Sequence, residues 1–152
     1  MPDWPELWAL ASRRFTLGLH SLHGPDHWQR VERNGLDIAG RTSGADLLLV
    51  RLFAVLHDSH RCNEGHDPEH GPRAAAWARE LSAVGKYFQL DPHRLDVLCD
   101  AITYHDKGRV SDDPTVGTCW DADRLDLPRV GIRPAPRLMS TARGKHLAGM
   151  PH

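Results

Sequence analysis

The apolar segment from Leu47 to Leu56, with the sequence LLLVRLFAVL, limits the possible folds more than any other feature of the chain. A helix built from it would be hydrophobic on almost every face, which is typical of a helix in the protein interior. The run is interrupted by Arg51 and is too short to span a bilayer. It ends abruptly at His57 and Asp58, so a buried helix would place two polar side chains next to each other in the protein interior.

The rest of the chain also has its apolar residues at helical spacing. Leu7, Ala11 and Phe15 lie four residues apart, which predicts an amphipathic first helix. Segments that alternate between apolar and polar residues, as half-buried strands do, are missing from the sequence. We therefore expect an all-α fold, a single-domain bundle of about five to seven helices. Helix starts are also marked by two dipeptides, Asp91-Pro92 and Asp113-Pro114.

The chain has no linker, repeat or low-complexity block that would divide it. We expect residues 1–131 to form one domain. Residues 132–152 contain several prolines, and we expect them to form a C-terminal tail that is irregular or packed on the domain.

Charge and cysteine content exclude several classes of protein. The 19 Lys and Arg residues nearly balance the 20 Asp and Glu residues, so the chain lacks the basic excess of a dedicated nucleic-acid-binding protein. Its three cysteines form no CxxC pair, which argues against a disulfide framework and a thiolate zinc site. The N-terminal stretch MPDWPELWALASRRF does not resemble a signal peptide. We expect a cytoplasmic protein without a membrane segment, and the sequence leaves its oligomeric state open.

Histidine is abundant, with 11 copies in 152 residues. It is the commonest metal ligand in proteins. Several histidines and aspartates fall near predicted helix ends, where side chains from separate helices can converge on one ion. Imidazole and carboxylate ligands suit divalent Mn, Fe, Co, Ni, Zn or Mg. The residues that could converge in this way are His27, His57, Asp58, His70, His105 and Asp123.

Four of these residues, in order along the chain, resemble the motif of the HD-domain superfamily of metal-dependent phosphohydrolases. The match consists of His27 in HWQRV, His57 and Asp58 in LHDSHR, and Asp123 in DADRLDL. The resemblance runs from about residue 23 to residue 131 and implies an HD-type helical bundle with these four residues as ligands of a divalent metal ion.

Asp121 and Asp123 are two positions apart, about 200° around a helix, so both cannot face one ion. The family motif places the ligand in the Ala-Asp-Arg segment, hence at Asp123. Asp121 stays open as an alternative, and Asp126 is interpreted as a salt-bridge or capping residue.

His70 and His105 fall where small bacterial single-domain HD hydrolases also carry histidines. The resemblance implies that these residues line the pocket, where they contact phosphate or a second metal ion. A helix-end histidine can also be a simple capping group, and that interpretation stays open for both residues.

The resemblance also implies that Asp58 both binds the metal and helps to orient the attacking water. Glu64 and Asp67 follow closely in the sequence and are candidates for a general acid or base. Substrate phosphate needs cationic partners, for which arginine is well suited. The candidates for substrate binding are Arg30, Arg61, Arg73, Lys107 and Arg124.

The function that we predict is a metal-dependent phosphohydrolase acting on a small phosphorylated substrate, with a nucleotide as the expected class. Hydrolysis would use a metal-activated water. Two alternatives stay open. One is a non-catalytic module that senses nucleotides or metal ions. The other is a di-iron oxygenase, because some HD relatives hold two irons and oxidise their substrates.

Overall fold

A computed structural model describes residues 2–150 of the chain. Within this range it contains seven α-helices, two short 3₁₀ helices and no β-strand. The all-α prediction and the predicted number of helices are confirmed. The α-helices are α1 (Trp4–Arg14), α2 (Pro25–Ala39), α3 (Leu47–Leu56), α4 (His70–Val84), α5 (Pro92–Tyr104), α6 (Pro114–Arg124) and α7 (Ala142–Ala148).

Aspartate side chains fix the starts of several helices. Asp91 accepts a hydrogen bond from the backbone N–H of Arg94, and Asp113 accepts two, from Thr115 and Val116. Each satisfies amide groups that have no partner within the helix. A proline follows each of these aspartates, where its missing N–H carries no penalty. The Asp-Pro dipeptides therefore begin α5 and α6, as the sequence predicts.

Helix α3 is the centre of the protein. All five residues from Leu52 to Leu56 are 0% exposed. Helices α2, α5 and α6 pack around it, and α4 packs mainly on α5. Because the C-terminal half of α3 is fully buried, the residues that follow it project into the interior of the bundle.

Two glycines allow neighbouring helices of the bundle to approach closely. A Cβ atom on Gly35 of α2 would lie 2.5 Å from Cγ1 of Val50 in α3. A Cβ atom on Gly71 of α4 would lie 2.7 Å from the carbonyl oxygen of Thr103 in α5. Both distances are shorter than van der Waals contact, so any larger side chain would push the helices apart.

The C-terminal segment packs on α6 and contains a helix, α7, that the sequence pattern does not predict. Asp121 holds this segment, since its buried carboxylate accepts hydrogen bonds from the backbone N–H groups of Ser140 (2.7 Å) and Thr141 (2.8 Å). Thr141 also caps α7. Seven residues are too few for a helical period to be recognised in the sequence.

Across residues 2–150, none of the helices combines the length and the apolar character needed to cross a membrane.

Candidate metal centre

The end of α3 is the point at which the polar residues of the interior meet. His57 is the C-cap of α3, with helical backbone angles, and Asp58 follows it. Their exposed fractions are 0% and 2%. Burial of a carboxylate is costly unless cations or hydrogen-bond donors surround it. The residues around Asp58 therefore determine how its buried charge is stabilised.

A first group of donor atoms comes from His27, His57, Asp58 and Asp123. His27 Nε2 lies 3.2 Å from His57 Nε2, 3.3 Å from Asp58 Oδ2 and 3.1 Å from Asp123 Oδ1. His57 Nε2 lies 3.4 Å from Asp58 Oδ2 and 3.3 Å from Asp123 Oδ1. Four buried side chains from α2, α6 and the end of α3 thus point one ligand atom each at a common centre.

A second group lies directly beside the first and uses the other oxygen of Asp58. Asp58 Oδ1 is 3.1 Å from His70 Nε2 and 3.3 Å from His105 Nε2. The two imidazole nitrogens are 2.9 Å apart. His70 begins α4 and His105 is the C-cap of α5, so the close contact of these helices at Gly71 brings the two rings together. Asp58 is shared by both groups.

All four histidines are held by their Nδ1 atoms. Each Nδ1 faces an oxygen that can only accept, so Nδ1 carries a proton and Nε2 is the nitrogen left to bind a metal ion or, in its absence, a second proton. The acceptors are the Asp126 carboxylate for His27 (2.7 Å), the Phe53 carbonyl for His57 (3.0 Å), the Asp67 carbonyl for His70 and the Ile102 carbonyl for His105 (2.6 Å).

This donor set fits divalent metal ions. An ion with ligands at about 2.1 Å places neighbouring donors about 3.0–3.4 Å apart, close to the distances in both groups. Asp123 Oδ1 is buried and accepts no hydrogen bond, although it lies within 3.3 Å of two imidazole nitrogens. Lone pairs that face one another in this way repel unless a cation lies between them. The first group could hold one ion and the second group another.

The charges in the first group shift its pKa values. Burial lowers the pKa of His27, but the carboxylates of Asp123, Asp126 and Asp58 outweigh it and raise the pKa to about 10. Burial raises the pKa of Asp123, but His57 and His27 hold it well below its usual range. The pKa of His57 is lowered, chiefly by burial. Without a metal ion, a proton on His27 therefore balances part of the carboxylate charge.

Metal binding to the first group should consequently depend on pH. Because a metal ion binds the deprotonated imidazole, it must displace the proton of His27, and the apparent affinity should rise between pH 7 and pH 9 by up to about tenfold per pH unit. Calorimetric titration of the metal-free protein with Mn²⁺, in buffers of different ionisation enthalpy, measures the proton release directly. An affinity that does not change between these pH values would contradict the assignment of the raised pKa to His27.

Asp126 orients His27 and is itself held by Arg30, whose Nε donates to both carboxylate oxygens at 2.8 and 3.0 Å. The interpretation of Asp126 as a salt-bridge residue matches this contact. Such an outer carboxylate fixes the ring orientation and increases the basicity of the ligand nitrogen. Arg30 is thereby engaged in a structural pair on the far side of His27 from the donor groups.

Replacement of Asp126 by asparagine should weaken metal binding at the first group by about 10- to 100-fold, because the imidazole of His27 loses its anionic partner. It should also lower the pKa of His27, so that proton release on metal binding shifts to lower pH. Metal titration of the variant checks both effects. A matched control is Asp96→Asn, which removes the carboxylate of an exposed pair with Arg79 (3.1 Å) and should leave the affinity unchanged.

A cavity of about 300 Å³ opens beside the donor atoms. Asp58, His105 and Asp123 line it, together with the arginines Arg61, Arg124 and Arg129. Arg61 Nε and Arg124 Nη2 are buried and have no hydrogen-bond partner among the described residues. Arg61 Nε is also 3.7 Å from Asp58 Oδ1. Guanidinium groups with free N–H donors next to a metal site are suited to bind the oxygens of an anion.

The structure does not bring all of the predicted site residues to this cavity. Glu64 is exposed, and its carboxylate accepts from the Ser21 hydroxyl and from the backbone N–H of Leu22 (3.3 Å). It ties two loops together and lies in neither donor group, so we do not retain it as a general acid or base. Asp67 is likewise engaged, in a pair with Arg73 at 2.7 Å.

Three of the predicted substrate-binding cations are engaged in ion pairs with carboxylates outside both donor groups. Arg73 donates to Asp67 and Arg30 to Asp126, so both support loops around the histidines and neither lines the cavity. Lys107 Nζ lies 3.7 Å from Asp106, which does line the cavity. Arg61 and Arg124 are the predicted cations that line it.

Sequence reasoning missed Arg129, which lies on the first 3₁₀ helix, Leu127–Val130. Its position six residues after Asp123 is the only signal for Arg129 in the sequence. That signal is useful only if the chain turns back towards the site after α6, which the sequence does not indicate.

No protein-family model matches the chain, and no curated protein matches it. A solved structure from an uncultured Thermotogales bacterium, described as a predicted HD superfamily hydrolase, is similar in fold with a TM-score of 0.74. The two sequences are 26% identical, and the match covers 97% of this chain and 83% of the other.

Proposed function

Because the chain belongs to the HD-domain superfamily, we propose that it is a metal-dependent phosphohydrolase that acts on a small phosphorylated compound, with a nucleotide as the substrate class. The observation that carries the proposal is the pair of donor groups sharing Asp58, beside a cavity with unpartnered guanidinium nitrogens. Guanidinium groups that line a small cavity beside the donor atoms match the charge of a phosphate ester.

The residues that would hold the metal ions are His27, His57, Asp58 and Asp123 for one ion, and Asp58, His70 and His105 for a second. A mixed imidazole and carboxylate set suits Mn, Fe, Co, Ni, Zn or Mg. When bound there, a divalent cation lowers the pKa of water towards neutrality and withdraws charge from a phosphoryl group.

The cavity residues would position the phosphate and handle the proton. Arg61 and Arg124 offer N–H donors to phosphate oxygens, which orients the phosphorus towards Asp58. With Glu64 engaged elsewhere, Asp106 is the carboxylate that lines the cavity outside both donor groups, and we assign to it the transfer of a proton to the leaving oxygen.

The proposal is tested by release of phosphate or pyrophosphate from a panel of nucleotides and sugar phosphates, with Mn²⁺, Co²⁺ or Ni²⁺. We expect turnover of at least one phosphate ester that depends on added metal. Binding of a nucleotide without product release under every metal would favour a sensing module.

A di-iron oxygenase is the second candidate, and the shared carboxylate of Asp58 between two histidine-containing groups is the observation that favours it. Two irons per chain after purification without added metal, together with substrate-dependent oxygen consumption, would select this function. Phosphate release without oxygen consumption would exclude it.

A further inference from the structure

The cavity beside the donor atoms is lined by two chemically different sets of side chains. The polar set, here called its anion-binding side, includes Asp58, His105 and Asp123 with Arg61 and Arg124, and the aliphatic set, here called its apolar side, consists of Leu127, Val130 and Leu138. Two of these, Val130 and Leu138, are each 37% exposed. Large apolar side chains that stay open beside a highly polar site are suited to cover the carbon-rich part of a ligand.

The aliphatic side is held rigidly to the rest of the protein. Arg124 Nη1 donates to the carbonyl oxygen of Leu138 at 2.7 Å, while Arg124 Nη2 is buried and has no hydrogen-bond partner among the described residues. Directly after Leu138, the carboxylate of Asp121 binds the backbone of Ser140 and Thr141. The same arginine therefore links the anion-binding side of the cavity to its apolar side.

Arg129 also lines the cavity and is held in place by three contacts. Its Nε donates to the Leu22 carbonyl at 3.0 Å and its Nη1 to the Asp126 carbonyl at 2.9 Å. Its Nη2 lies 3.4 Å from Nδ1 of His23, whose Nε2 faces the Glu64 carbonyl at 3.2 Å. These are all neutral acceptors, so the positive charge of Arg129 has no carboxylate partner among these contacts and remains available to an anion.

We propose that the segment from Leu127 to Leu138 recognises the substrate, with Arg129 binding a phosphate oxygen and with Val130 and Leu138 contacting a carbon-rich group joined to that phosphate. This inference rests on the proposed function and adds that the organic group joined to the phosphate turns a carbon-rich face towards these aliphatic side chains. A second phosphate at that position would lie against aliphatic side chains and lose its hydration without gaining a hydrogen bond.

The test measures binding of two non-hydrolysable probes that share one anionic head, phenylphosphonate and methylphosphonate, to the Mn²⁺-loaded protein by calorimetry. We expect phenylphosphonate to bind about tenfold more tightly, because only its ring reaches the apolar side. In the double variant Val130→Ser/Leu138→Ser this ratio should fall to about one. In Arg129→Gln both probes should bind about tenfold more weakly, with the ratio unchanged.

Two controls match these changes. Val84→Ser replaces an apolar residue that is 76% exposed at the other end of α4 from His70, and Arg137→Gln removes an exposed arginine of the same segment that does not line the cavity. Neither should alter binding of either probe. Should the double variant fold poorly, Leu138→Ala alone should lower the ratio while leaving Mn²⁺ affinity unchanged.

Equal binding of the two probes to the wild-type protein, or a preference that persists in the folded double variant, would overturn the inference. Failure of the proposed function gives a different result. In that case no phosphate ester is hydrolysed, while the preference for phenylphosphonate and its loss in the double variant are still observed.

Discussion

Asp58→Asn is expected to abolish the binding of metal ions at both donor groups and to reduce hydrolysis by at least about 10³-fold. The two carboxylate oxygens of Asp58 are divided between the groups, Oδ2 with His27 and His57 and Oδ1 with His70 and His105. Burial raises the pKa of Asp58, but the surrounding histidines hold it well below its usual range, so the group is a carboxylate at neutral pH. The amide of asparagine has the same shape but no charge, and one of its two ends cannot bind a cation.

Metal content per chain, measured after loading with Mn²⁺ and desalting, checks this expectation alongside the rate of phosphate release. Asp112→Asn, at an exposed position, is the matched control and should keep the metal content and the rate of the wild-type protein. His105→Ala should lose metal only from the second group, because His105 belongs to that group alone. An Asp58→Asn protein that retained two ions would disprove the shared role of this residue.

Gly71→Ala is expected to destabilise the protein and to damage the second donor group selectively. The added methyl group would lie 2.7 Å from the Thr103 carbonyl oxygen and 2.8 Å from that of Ile102, both on the backbone of α5. Since a backbone cannot move aside as a side chain can, α4 must shift, and overpacking of this kind costs about 1–3 kcal/mol. His70 is the neighbour of Gly71, so the shift moves its ring away from His105.

Thermal unfolding and metal titration together measure this effect. The melting temperature should fall by about 2–4 °C for each kcal/mol lost, with one weakened metal site and one intact site. Gly65→Ala is the control, since its Cβ would meet only the Asn63 side chain, at an ordinary 3.6 Å. Unchanged affinity of both sites in Gly71→Ala would show that the close contact of α4 and α5 does not position His70.

Much of the fold could be predicted because its signals are local. The apolar run of α3 and the Asp-Pro starts of α5 and α6 depend on neighbouring residues, and these elements lie where the sequence places them. Helix α1 is shorter than its apolar period indicates and ends at Arg14. The short helix α7 escaped prediction because Asp121, about 20 residues earlier in the chain, holds its start in place.

The candidate site also contains residues that the sequence predicts and residues that depend on distant contacts. The order of His27, His57, Asp58 and Asp123 is a strong signal, and the structure brings these four residues together. Glu64 shows why closeness in sequence is a poor guide in loops, because its direction is determined by Ser21 and Leu22, more than 40 residues away. The role of Asp126 behind His27 and the return of Arg129 to the cavity also depend on contacts across about 100 residues.

The buried carboxylate of Asp121 has a practical consequence for anyone who shortens the chain. A boundary drawn after Gly131, where the helical pattern becomes weak, would leave that carboxylate without the Ser140 and Thr141 donors. It would also expose the side of α6 that lies next to Asp123. The minimal unit for expression should therefore extend at least to Ala148, the last residue of α7.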